Sequence, residues 1–138
     1  MDYTVMGDRV NLASRLEGLS KKYHEPLIVS DSIQRRVRDQ FPCRLLDKAS
    51  VKGRREGTGI FTLRRTLTEA EAEAWHVHND SADRYYERKF REAADGFRRV
   101  LKLIPRDEHA SRFLTRCEQL EGKPVKPGWN GVEEWTEK

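Results

Sequence analysis

Cysteine is scarce in this chain. Cys43 and Cys117 are the only two in 138 residues. They lie too far apart for a redox pair or a metal-ligand spacing, which argues against a disulfide framework and a zinc site. Long apolar runs are missing too, and none approaches the roughly 20 residues of a membrane span. The opening Met1-Asp2-Tyr3-Thr4 has neither the basic start nor the apolar stretch of a signal peptide. Apolar residues make up only 36%, no more than the charged ones at 36%. A modest core and a densely ionic surface follow, as in a soluble cytoplasmic protein. The length suits one domain, or a small domain with an appendage.

Charge is unevenly spread. Residues 1–65 carry 14 basic and 8 acidic side chains, and residues 66–138 carry 13 and 15. The front half is thus suited to phosphates, and the back half shows no such bias.

Residues 1–65 read as mixed helix and strand. Asp8 can cap a helix in which Leu12, Leu16, Leu19 and Tyr23 recur on one face. Pro26 ends it. Leu27-Ile28-Val29 has the character of a buried strand. Ser30 or Asp31 starts a short helix with Ile33, Val37 and Phe41 facing inward. Arg44-Leu45-Leu46, Ser50-Val51-Lys52-Gly53 and Gly59 to Leu63 read as strands joined by tight turns. Residues 66–78 form a helical connector beginning at Thr66 or Thr68. Residues 79–121 are wholly helical, with a break at Pro105, and residues 122–138 form an irregular tail. Trp129 and Trp135 in that tail need somewhere to pack.

The chemistry-bearing stretch runs from Asp2 to Glu17. Asn11 and Arg15 are four apart and share a helix face beside the leucine stripe. An amide and a guanidinium projecting together can grip a ribose or a polyphosphate. Spacing alone favours a plainer reading, a solvated amide and a surface arginine paired with a glutamate.

The words Gly7-Asp8-x-Val10-Asn11-x-Ala13-Ser14-Arg15-Leu16-Glu17 closely resemble the signature helix of class III nucleotide cyclases, the adenylate and guanylate cyclases. Val51-Lys52-Gly53 resembles a second motif of that family, and Leu27 to Ser30 falls where the family has a strand. The resemblance covers residues 2 to about 65. It implies an α+β fold, the C-terminal portion of a ferredoxin-like cyclase domain, followed here by an α-helical hairpin extension. Asn11 matches the asparagine that orients the ribose. Arg15 matches the arginine that stabilises the transferring phosphoryl group. Lys52 matches the lysine that holds the terminal phosphates, and Thr4 stands where the adenine is recognised. Arg9 departs from the small hydroxyl residue usual at its position.

The same resemblance implies Mg2+ or Mn2+, held by a pair of aspartates that fall outside the matched stretch. This chain alone is therefore expected to bind no metal and to make no cyclic nucleotide. The implied reaction converts ATP to cyclic AMP and pyrophosphate, with a homodimer or a complementary cyclase half supplying the metal-bearing wall. A C-terminal piece of a bacterial adenylate cyclase is the resulting expectation, its parent open to membrane attachment through upstream domains. An exposed strand edge would then favour self-association. A guanylate cyclase piece is the nearest alternative. A non-catalytic interaction module using the helical hairpin is the rival from another class.

Smaller signals complete the picture. Phe90, Ala93, Phe97, Val100 and Pro105 resemble a tetratricopeptide unit, with small Ala93 allowing two helices to approach. Trp129-Asn130-Gly131 and the Thr136-Glu137-Lys138 close resemble the ending of bacterial cyclases that carry a helical hairpin, with Asn130 departing from the pattern. His24, His76, His78 and His109 form no metal set, and His76 and His78 read as surface residues. Arg35-Arg36-Val37-Arg38 and Arg54-Arg55 lack interleaved aromatics, so they read as solvated faces and not as a nucleic-acid interface.

Overall fold

The computed structural model describes residues 20–51 and 57–135. They fall into two compact units. One holds the described residues up to Arg65 together with Val132 onward, and the other is Thr66–Gly131.

The first unit is built on a four-stranded sheet. Residues 20–23 are helical. His24 then takes φ 58°, and the Glu25 N–H reaches back to the Ser20 carbonyl at 3.1 Å. This left-handed exit ends the helix two residues before Pro26, which was expected to end it. Strand β1 (Val29–Ser30) leads into α1 (Asp31–Val37). Ser30 holds the cap position of α1 without a side-chain cap bond, and Ile33, Val37 and Phe41 are only half-buried. Strand β2 (Cys43–Val51) and strand β3 (Thr58–Leu63) pair antiparallel, and β1 pairs antiparallel with the other side of β3. Strand β4 (Glu133–Trp135) runs parallel to β2, giving the order β1-β3-β2-β4.

Strand β2 differs from the sequence expectation of two strands separated by a turn. It is continuous, and its register slips between Leu45 and Asp47, with Leu46 as the extra residue. Such a bulge shifts the alternation of faces by one. Arg44 pairs with Thr62 and Asp47 with Ile60, so the bulge turns Arg44 and Asp47 to the same side. All four of these residues are buried. Asp47 looks like a turn residue because a carboxylate in a strand core is costly, and here it is satisfied. Oδ2 accepts from the Tyr23 hydroxyl at 2.7 Å and Oδ1 from the Lys48 N–H at 3.0 Å.

The second unit consists of α2 (Glu69–Tyr86), α3 (Phe90–Leu103) and α4 (Glu108–Leu120). Helix α2 opens with a capping box. The Glu71 N–H donates to Thr68 Oγ1 at 3.1 Å, and Glu71 Oε1 accepts from the Thr68 N–H at 2.9 Å. The helix continues through residues 78 and 79, where the connector and the hairpin were expected to meet. It ends at Tyr86, and two residues on Arg88, at φ 68°, lets the Lys89 N–H reach the Arg84 carbonyl, while the Arg88 N–H reaches that of Tyr85. Phe90, Ala93, Ala94, Phe97 and Val100 form the buried stripe of α3. Phe97 stacks on Phe113 of α4 with ring centroids 5.0 Å apart. Asp107 caps α4 by accepting from the Ala110 N–H at 2.9 Å.

Candidate functional site

Thr4, Asn11, Arg15 and Lys52 all lie outside the described residues. The structure instead shows what holds the segments next to them. Tyr23, twelve residues after Asn11, is bonded to Asp47, five residues before Lys52. A second tie runs from Glu25, whose carboxylate sits 3.0 Å from Arg64 Nη2 and accepts from Thr62 Oγ1 at 3.4 Å. Arg64 Nη1 also donates to Thr62 Oγ1 at 3.1 Å. Residues 23–25 are therefore fastened to β2 and to the end of β3 by buried or half-buried polar bonds. Such bonds carry more weight out of water than on the surface. None of these partners stood out in the sequence, because each polar residue reads singly as solvated or as part of a turn.

The C-terminal segment bears on the same region. Strand β4 pairs Ala49 with Glu133, Ser50 with Glu134 and Val51 with Trp135, so its last pair adjoins Lys52 in the chain. Residues 122–138 were expected to be an irregular tail, and the ladder at Glu133–Trp135 revises that. Val132 packs on Gly57, where a Cβ would fall 2.4 Å from Val132 Cγ2.

The helical unit has a groove of about 590 Å³ between α2 and α3, lined by residues that include Glu73, Asp80, Arg84, Glu92, Asp95 and Arg99. Its charges are largely matched. Arg84 lies 3.8 Å from Asp80 and 3.7 Å from Glu92, and Arg99 lies 3.9 Å from Glu73. All of these pairs are solvent-exposed and contribute little to stability. Under them Gly96 approaches Ser81 so closely that a Cβ would overlap its Oγ.

Among the described residues no group of three or more His, Cys, Asp or Glu side chains is arranged to hold a metal ion. Both cysteines are reduced, and burial raises both thiols above the usual range, Cys117 to about 12. Neither is a poised nucleophile. His78, expected at the surface, is fully buried, with Phe97 and Phe113 edge-on at 5.2 and 5.5 Å. The helix turns it inward together with Ala74, Trp75 and Ala82, while His76 stays exposed. His109 is buried as well, its Nδ1 3.2 Å from Arg112. Arg35, Arg36 and Arg38 are exposed, and Arg35 lies 3.9 Å from Asp31. No described helix is long and apolar enough to cross a membrane.

No family model matches the chain, and no solved structure does. Curated relatives do. The chain is 28% identical over 126 residues to "Adenylate cyclase, terminal-differentiation specific" of Dictyostelium discoideum, which covers 86% of this chain and 6% of that protein. It is 40% identical over 67 residues to "Adenylate cyclase" of Anabaena cylindrica, covering 46% of this chain and 13% of that one. It is 39% identical over 63 residues to "Adenylate cyclase 1" of Rhizobium meliloti (strain 1021), covering 46% and 10%. The chain is related to adenylate cyclases. It spans only 6–13% of the length of these three cyclases. Each structural unit holds about half of the chain, so the 86% match to the Dictyostelium cyclase takes in residues of both.

Proposed function

We propose that this chain carries the ribose- and phosphate-holding wall of a class III adenylate cyclase, which converts ATP to cyclic AMP and pyrophosphate. The observation that carries the reading is the Gly7–Glu17 stretch in a chain related to three proteins named adenylate cyclase. Those names favour ATP over GTP as the substrate. Asn11 orients the ribose, so that its 3′ oxygen attacks the α-phosphorus in line with the departing pyrophosphate. The Arg15 guanidinium stabilises charge on the transferring phosphoryl oxygens, Lys52 holds the terminal phosphates, and Thr4 meets the adenine. These residues act by positioning and by fixed charge, which supply much of the rate in phosphoryl transfer.

The described residues do not form a metal site. Mg2+ or Mn2+ would be brought on the carboxylates of a complementary cyclase half or a second protomer. The sheet unit is read as the C-terminal portion of the ferredoxin-like catalytic domain, and the helices as a tetratricopeptide-like extension.

Mixing the chain with a cyclase half that bears the metal carboxylates tests the reading. Cyclic AMP formation is expected from the mixture and not from this chain alone. Arg15→Ala should lower kcat by about 10²–10³-fold, the loss seen when one charge-stabilising donor is removed. Undiminished turnover with both Asn11→Ala and Arg15→Ala in place would refute it.

A further inference from the structure

The end of the helical unit where α2 gives way to α3 gathers aromatic side chains around a cation. Tyr85 and Tyr86 close α2, Phe90 opens α3, and Arg88 stands between them at φ 68°. The rings meet edge-on, Tyr85 with Tyr86 at 4.9 Å and with Phe90 at 5.7 Å. What packs on them is the non-helical segment 127–131, which belongs to the same unit.

The Trp129 ring lies edge-on to Tyr85 at 5.5 Å and to Phe90 at 5.3 Å. The Arg88 guanidinium is 5.9 Å from the centre of the Trp129 ring. Its Nη2 donates to the carbonyls of Trp129 at 2.9 Å and Pro127 at 3.0 Å. Gly131, at φ 75°, lies so near the Tyr86 ring that a Cβ would meet it at 2.7 Å. The segment is shaped for this by a turn, in which the Trp129 N–H reaches the Lys126 carbonyl at 2.9 Å. Side chain and main chain are thus both held. The rings take the indole, and one cation takes two carbonyls. Main-chain bonds beside a side-chain pocket are how protein surfaces recognise peptides, and a buried aromatic anchor commonly carries most of the affinity.

The contact is also placed for exchange. Trp129 is only half-buried and Arg88 is exposed, so the socket faces solvent. Residues 121–128, which lead to it from α4, are exposed apart from half-buried Val125. Such a tether raises the local concentration of the segment and adds few contacts of its own. A second copy carries the identical segment, and exchange of like for like remakes the same contacts.

We infer that Tyr85, Arg88 and Phe90 form a recognition socket for a tryptophan-bearing peptide segment. Residues 127–131 fill it within their own chain, and the same residues of a second copy can take their place. The occupant is specified by what fits: an indole for the rings, two carbonyls for Arg88, and a glycine against Tyr86. This is a protein-interaction site on the helical unit, and it does not depend on the nucleotide reading of the first 65 residues.

The test uses the full chain and a synthetic peptide of residues 125–131 with a fluorophore at its N-terminus. Trp129→Ala empties the socket. Fluorescence anisotropy should show the peptide binding this variant about tenfold or more tightly than the wild-type chain, whose own segment competes. Adding Arg88→Ala should weaken that binding about tenfold, because two carbonyl bonds are lost. The Trp129→Ala form of the peptide should bind about a hundredfold more weakly. Should the empty socket cost the chain its fold, the helical circular dichroism of Trp129→Ala should return as peptide is added. Mixing two variants tests the second copy. Arg88→Ala keeps the segment and weakens the socket, while Trp129→Ala keeps the socket and lacks the indole. Sedimentation of the mixture should show an association that neither variant forms alone, and excess peptide should dissolve it. A peptide that neither binds nor refolds Trp129→Ala rules out the socket. A mixture that sediments as its two separate components rules out exchange between copies.

Discussion

The Tyr23 hydroxyl donates to Asp47 Oδ2 across 2.7 Å, and both side chains are shut away from solvent. The bond joins the end of one helix to the bulged stretch of β2, and it explains why an aspartate is tolerated there. Removing the donor takes a hydrogen bond away from a buried carboxylate, at a cost of about 1–3 kcal/mol. Tyr23→Phe is therefore expected to lower stability by that amount in urea unfolding. The double variant Tyr23→Phe/Asp47→Asn should lose less than the sum of the two single changes, because the two residues act as one unit.

The Tyr23–Asp47 pair also marks where sequence reasoning stops. Periodicity placed Tyr23 on an apolar stripe, and Tyr23 is buried. The helical periods of 90–103 and 108–120 were legible because each buries a regular face. Asp47-Lys48 was read as a turn, since a pairwise bond to a residue 24 positions away leaves no local trace. The same holds for His78, whose inward aim depends on the aromatic rings of α3 and α4. Arg88 in a left-handed conformation was equally hidden, because glycine is the usual signal there. The candidate site was legible as a run of words. The contacts of the described residues nearest it in the chain were not, because Glu25, Thr62 and Arg64, and likewise Gly57 and Val132, meet only in the folded chain.

Arg88 combines two opposed effects. Its φ of 68° is costly for any residue with a Cβ, by about 1 kcal/mol relative to glycine. Its guanidinium offsets this by holding the carbonyls of Pro127 and Trp129. Arg88→Ala keeps the backbone cost and loses the bonds. Arg88→Gly loses the bonds and relieves the backbone. Thermal unfolding should rank the wild-type chain above Arg88→Ala, with Arg88→Gly more stable than Arg88→Ala by about 1 kcal/mol.

Gly96 sits within α3, where alanine would ordinarily stabilise a helix by about 0.5–1 kcal/mol. Here a Cβ would lie 1.8 Å from Ser81 Oγ and 2.9 Å from Ser81 Cβ. Overpacking of this kind costs about 1–3 kcal/mol, so Gly96→Ala should destabilise despite its better propensity. Ser81→Ala introduced with it removes the nearer obstacle and leaves the farther one. The double variant should recover part of the loss in the thermal midpoint, and a stabilised Gly96→Ala single variant would contradict the packing.

Cys117 lies in the core of α4, and burial pushes its thiol up to about 12. Arg98 and Arg116 pull the other way, while Glu121 and Glu118 add to the rise. Cys43, half-buried on β2, is raised by burial as well, and its Sγ donates to the Phe41 carbonyl at 3.4 Å. At pH 8 iodoacetamide should therefore modify Cys43 first, and Cys117 only as the helical unit opens. The pH dependence follows from the same rise. A thiol whose folded pKa exceeds its unfolded value of about 8.5 favours the folded state fully below that value. This contribution is lost as the pH climbs from about 8.5 toward about 12. The urea midpoint of the helical unit should accordingly fall between pH 8 and pH 10.5, and fall less in Cys117→Ala, which has no thiol to ionise. An equal fall in both proteins would show that Cys117 does not govern the alkaline loss.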